Sequence, residues 1–140
     1  MATGEILTCA GDGRFAAATR GDFAAATAVV LTSADGYVGR KLELAGSTAF
    51  TIADLAALTG RLAGRTIGCR NLAPADYEAA LMKNGLPDFV AKILTNSDTS
   101  ASQGWLFDDS RTLESLIGRP TETLESIVAP AVAAATKTGA

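Results

Sequence analysis

Ala10-Gly-Asp-Gly-Arg-Phe-Ala-Ala-Ala-Thr-Arg-Gly-Asp-Phe-Ala-Ala-Ala26 is the stretch on which the fold turns. Two short runs, residues 5–9 (Glu-Ile-Leu-Thr-Cys) and 14–19 (Arg-Phe-Ala-Ala-Ala-Thr), flank Gly11-Asp12-Gly13. Asp-Gly between apolar runs signals a β-hairpin, because it tolerates the positive φ angles that a tight turn demands. Asp22 then stands as an N-cap, where a carboxylate accepts from the free amides of a first turn, and a helix is predicted from Phe23 to about Ser33.

Working outward, residues 40–45 (Arg-Lys-Leu-Glu-Leu-Ala) alternate polar and apolar, the pattern of a half-buried strand. Thr51-Ile-Ala-Asp54 is a capping-box pattern, and the helix it opens brings Ile52, Leu55, Leu58 and Leu62 to one side before Gly64 stops it. Residues 66–72 read as another strand. Pro74 and Pro87 suit first helical positions and open helices near 74–84 and 87–96. Residues 97–107 read as a long polar loop ending in Trp105-Leu-Phe107. Asp108 or Asp109 then caps a short helix that ends at Gly118. Thr121 caps a last helix, whose Leu124, Ile127, Val128, Ala131 and Val132 form a core-facing stripe interrupted by Pro130, with a frayed tail beyond Thr136. The expected class is α/β: short strands packed with five or six helices in a single lobe spanning residues 1–140.

Composition narrows the function classes. The chain has 140 residues, 48% of them hydrophobic and 19% charged, a globular balance. Net charge is −3, and no cationic run exceeds Arg40-Lys41, so neither nucleic acid nor an anionic membrane is an expected partner. No apolar segment approaches the roughly 20 residues of a membrane-spanning helix, and Met1–Glu5 shows no secretion signal, which makes the cytoplasm the expected compartment. Cys9 and Cys69 read as buried free thiols. No histidine is present, which removes Ser-His-Asp and Cys-His catalysis and the usual zinc sites. No metal site and no catalytic residue are therefore assigned.

Two motifs mimic chemistry. Gly11-Asp-Gly13-Arg-Phe-Ala16 fits the dinucleotide fingerprint, with Asp35 some twenty residues on, but that fingerprint works only where its glycines open a helix onto the pyrophosphate. Gly21-Asp22 interrupts any such helix, and a hairpin turn explains Asp12-Gly13 equally well. Tyr37-Val-Gly-Arg-Lys41 matches the Tyr-x-x-x-Lys pair of short-chain dehydrogenases. Gly36 and Gly39 disfavour the helix that pair requires, and in extended chain the two residues lie roughly 13 Å apart. Arg20, beside the Asp22 cap, reads as a structural ion-pair partner.

The run Ala10–Ala26 resembles the C-terminal lobe of the bacterial NAD(P)H:quinone oxidoreductases of the NmrA-like, atypical short-chain dehydrogenase group. So do Leu42-Glu-Leu-Ala-Gly46 with Phe50-Thr-Ile-Ala-Asp-Leu-Ala56, then Gly85-Leu-Pro-Asp88, Leu106-Phe-Asp-Asp-Ser110 and Leu116-Ile-Gly-Arg-Pro-Thr121. Triphenylmethane reductases are more distantly similar. The resemblance implies a substrate-side lobe whose NAD(P)H is held by a Rossmann half without a counterpart in these residues. It therefore implies no tight cofactor binding, and no activity, by this chain alone. Hydride transfer to a quinone is mainly cofactor chemistry, so the lobe's task is to orient the ring and exclude water. Phe89, Trp105 and Phe107 are the candidate substrate contacts, because flat aromatic faces suit a quinone. Residues 97–104 would form a lid less ordered than its flanking helices, with Leu106 and Phe107 packed as its anchor. The partners implied are a quinone-like molecule and the Rossmann lobe, or a second copy in a homodimer. A non-catalytic NmrA-like regulatory or redox-sensor lobe and a stand-alone interaction module are the alternatives.

Overall fold

Strand β1 (Glu5–Thr8) lies parallel to β2 (Gly68–Asn71), with Glu5 opposite Gly68 and Thr8 opposite Asn71. The computed structural model describes residues 4–34 and 36–138. Asp35 lies outside the described residues. Between and after the two strands come six helices: α1 (Arg20–Thr32), α2 (Ile52–Ala63), α3 (Pro74–Lys83), α4 (Asp88–Ser102), α5 (Thr112–Ile117) and α6 (Leu124–Thr138). The α/β expectation with five or six helices holds.

The hairpin does not form. Gly11 turns the chain at φ 56°, and the Gly13 amide donates to the Ala10 carbonyl at 2.8 Å. The hydrogen bonds of β1 go instead to β2 and its flanks: Gly68 donates to Gly4 at 2.8 Å and Leu72 to Thr8 at 2.9 Å. Residues 14–17 leave β1 and run extended past two other segments, Phe15 forming an antiparallel bridge with Phe50. Residues 40–45 are no strand either. Leu42 and Leu44 are half-buried and Arg40, Lys41 and Glu43 exposed, so the alternation reports burial on one side without a paired neighbour.

Several caps sit one step from where the sequence suggests. Thr19, not Asp22, is the N-cap of α1, its hydroxyl accepting from the Asp22 amide at 3.0 Å. Asp22 is fully buried in the first turn, where its carboxylate accepts from the Thr19 hydroxyl (2.8 Å) and the Glu122 amide (3.1 Å) and meets Arg119 Nη2 at 2.8 Å. One side chain thus ties the start of α1 to the segment between α5 and α6. Arg20 is exposed and forms no ion pair among the described residues; Arg119 holds the role expected of it. Thr121 does not cap α6. It is buried and exchanges hydrogen bonds with Ser47, while Thr123 accepts from the Ser126 amide at 3.1 Å as the cap.

The Thr51–Asp54 capping box and the left-handed Gly64 stop of α2 form as expected. Pro74 is the first residue of α3, and Pro87 sits one position before α4. Helix α6 continues through Pro130 and past Thr136, and Ile127 and Ala131 of its stripe are exposed. Packing pairs α1 with α5, α2 with α6 and with the sheet, and α3 with α4. Cys9 is buried as expected, whereas Cys69 on β2 is exposed.

Candidate functional site

Residues 14–17 form the floor of the site because two segments hydrogen-bond to them. Phe15 and Phe50 exchange amide bonds at 2.8 and 3.1 Å, the Gly46 amide donates to the Ala16 carbonyl at 2.8 Å, and the Ala16 amide donates to the Leu106 carbonyl at 2.9 Å. The approach at Gly46 is so close that a Cβ there would stand 2.1 Å from the Ala17 carbonyl oxygen. Side chains cannot fill this junction, and an open cleft remains along it. One part, about 430 Å³, is lined by Trp105, Leu106, Phe107 and residues 43–45. The adjoining part, about 380 Å³, is lined by Arg14, residues 46–49, Phe107, Asp109 and Arg111; Phe107 and Asp108 are common to both.

Within the cleft Trp105 is 75% exposed and Phe107 37% exposed. The Arg14 guanidinium carbon lies 4.5 Å from the centre of the Phe107 ring, so a cation already covers part of one aromatic surface. Leu106 and Phe107 were expected to be packed; both remain one-third exposed, and the segment is held through the Leu106 carbonyl. Phe89 does not join them. It is 65% exposed near the start of α4, and thirteen residues of helix, about 20 Å of rise, separate it from the helix end that leads to Trp105.

The long loop expected at 97–107 is also corrected, since α4 extends to Ser102 and only residues 103–111 are irregular. The cause is a buried polar face. Ala91, Thr95, Asp98 and Ala101 fall on one side of α4 and are buried. Asp98 accepts from the Thr8 hydroxyl at 2.6 Å and the Cys9 amide at 3.1 Å, locking the helix onto the end of β1. The Tyr77 phenol faces the same carboxylate; burial first, then the Asp98 charge, pushes its pKa up to about 12. Burial likewise raises the Cys9 thiol above its usual range, and its Sγ lies 3.7 Å from the Thr95 carbonyl. These hydrogen bonds join α4 to the end of β1 and position the start of the 103–111 segment. Neither Asp108 nor Asp109 caps α5. Asp108 closes a turn by accepting from the Ser110 amide (3.0 Å) and hydroxyl (2.6 Å), and Arg111, at φ 54°, leads into the helix.

The nucleotide motifs fail on geometry. Gly11-Asp12-Gly13 is a turn followed by extended chain, and α1 starts only at Arg20. The space a Gly13 Cβ would need is taken by the Ala101 carbonyl at 2.5 Å, so this glycine serves the contact with α4 and not a pyrophosphate. Tyr37 sits in a turn closed by the Arg40 amide, and Lys41 follows in irregular chain. Neither motif has the geometry that would hold a dinucleotide.

Quinone oxidoreductase 2 of Escherichia coli (strain K12) is 49% identical over 125 residues, a match covering 89% of this chain and 43% of that protein. The crystal structure of the NADPH-dependent quinone oxidoreductase from Escherichia coli superposes with a TM-score of 0.88 at 48% identity, over 91% of this chain and 46% of that one. This chain is a C-terminal lobe of the NmrA-like, atypical short-chain dehydrogenase kind. Such a lobe also forms the matching part of the Citrobacter sp. triphenylmethane reductase, with a TM-score of 0.86 at 26% identity over 93% of this chain and 45% of that one. The NmrA-like lobe spans less than half the length of each of these relatives. No family model matches the chain. No helix among the described residues of the lobe is long and apolar enough to cross a membrane.

Proposed function

We propose that this chain is the substrate-side lobe of an NAD(P)H-dependent, quinone-reductase-like oxidoreductase. The observation that carries the reading is the 49% identity over 125 residues to quinone oxidoreductase 2. An open cleft lined by Trp105 and Phe107 supports it. In this reading Trp105 and Phe107 contact a quinone-like ring and help exclude water around it, while the cofactor supplies the hydride. The cofactor is held by a Rossmann lobe outside these 140 residues, because the Gly11–Gly13 turn does not fit it. Phe89 belongs to a separate apolar surface with Ile93, its neighbour one turn along α4, which is 62% exposed. Where no Rossmann lobe is bound, exposed apolar surface of this kind drives self-association to a homodimer. The setting is cytoplasmic.

Trp105→Ala tests the site. Its side chain is mostly exposed, so the melting temperature of the isolated chain should stay within about 2 °C, since exposed substitutions cost only about 0.5 kcal/mol. In a two-lobed enzyme reconstituted with a Rossmann lobe, the same change should raise KM for a quinone. A large loss of stability with unchanged turnover would make Trp105 a structural residue and end the assignment.

A further inference from the structure

Three observations converge on the Arg14 side of the cleft. The Arg14 guanidinium is held over the Phe107 ring at 4.5 Å, yet it forms no ion pair among the described residues. Arg111 lines the same cavity, and it is the one non-glycine residue with positive φ among those described, at 54°. Left-handed backbone is costly for a residue with a side chain, and such conformations concentrate where a group must be held in a set position. Arg111 meets Glu114 at 3.6 Å, Asp108 is engaged by the Ser110 amide and hydroxyl, and Asp54, which feels the Arg14 charge, is engaged by the Thr51 amide and hydroxyl; Arg14 is thus the guanidinium of this wall outside the ion pairs among the described residues, with Asp109 on the same wall. A stacked guanidinium keeps its in-plane N–H donors open and offers them as a pair to a planar anion.

We propose that Arg14, fixed on Phe107 and sharing its cavity with Arg111, selects planar aromatic ligands that carry an anionic group on the ring edge. The ring lies toward Trp105, and its carboxylate or sulfonate accepts from Arg14. This deepens the substrate-lobe reading and rests on it, for it assigns the class of ring the cleft prefers.

Trp105 is the single tryptophan of the chain and borders the cleft, so its fluorescence reports occupancy. Titrate the full 140-residue chain with an anthraquinone monosulfonate and with the neutral hydroxymethyl anthraquinone, checking each affinity by equilibrium dialysis. The sulfonate should bind at least ten-fold more tightly. Arg14→Gln should erase that preference, so that the two affinities come within about two-fold of each other. Arg14→Lys, which keeps the charge but loses the planar fork, should fall between; melting curves verify that both variants fold. Equal affinity for the two ligands, or a preference that survives in Arg14→Gln, overturns the proposal while the aromatic cleft stands. Absence of binding by either ligand overturns the proposal and the cleft reading together.

Discussion

Asp22→Ala is the substitution whose cost follows most directly from the geometry. The carboxylate has no exposure, accepts from the Thr19 hydroxyl and the Glu122 amide, and faces Arg119 Nη2 at 2.8 Å. Its removal leaves two donors without their charged acceptor, about 1.5 kcal/mol each at the low end. Arg119 is half exposed, so its lost partner adds no more than about 1 kcal/mol. The total, about 4 kcal/mol, is a large share of the roughly 5–15 kcal/mol that holds a domain together. At about 3 °C per kcal/mol for a chain of this size, the melting temperature should fall by roughly 12 °C. The sign of the pH dependence also follows. Burial alone would raise the Asp22 pKa, but the Glu122 amide, the Thr19 hydroxyl and Arg119 outweigh it and hold it below the usual value. A depressed folded-state pKa gives stability that is present above about pH 4 and is lost as the pH falls through the folded value. Asp22→Asn should therefore flatten the acid limb of a stability–pH curve that the wild type shows. Calorimetric melts of wild type, Asp22→Ala and Asp22→Asn between neutral and strongly acidic pH make the measurement. A drop below about 3 °C for Asp22→Ala, or an unchanged acid limb for Asp22→Asn, would refute the reasoning.

Gly46→Ala should destabilise the chain by about 3 kcal/mol or prevent folding, because the new Cβ meets backbone 2.1 Å away, whereas Gly36→Ala, with open space around it, should leave the urea midpoint nearly unchanged. Equal midpoints for the two variants would dissolve the close approach on which the cleft floor depends. Sedimentation should show a homodimer at high micromolar concentration, and a monomer there would show that the exposed apolar surface does not drive self-association.

The sequence made some elements legible and hid others for physical reasons. The capping box at Thr51–Asp54, Pro74 at the first turn of α3 and the glycine stops of α2 and α5 are local devices, readable because the residues that cause them are adjacent. The failed hairpin depended on a competitor sixty residues away: β2 takes the hydrogen bonds of β1, so a sound turn signal at Gly11-Asp12-Gly13 yields a turn without its second strand. The last two turns of α4 were illegible because their buried face is Thr95, Asp98 and Ala101, which no count of apolar residues detects. A signal was present nonetheless, since Ala91, Thr95 and Asp98 keep helical spacing among small and polar residues. In the candidate site, Trp105 and Phe107 could be named as aromatic residues in one loop. That Arg14 reaches the Phe107 ring required the 14–17 segment to be placed against Leu106, a contact spanning some ninety positions. Phe89 was grouped with them on residue type alone, and a helix length separates them.

Whether this chain serves as a substrate-side lobe can be read from a chimaera in which it replaces the matching C-terminal part of quinone oxidoreductase 2 of Escherichia coli, with that protein's N-terminal part kept. NADPH-dependent quinone reduction is then measured beside that N-terminal part alone and beside a chimaera carrying Trp105→Ala. Quinone turnover should stand well above that of the N-terminal part alone, with a raised KM in the Trp105→Ala version. A chimaera that folds and binds NADPH yet reduces quinone no faster than the N-terminal part alone would contradict that role.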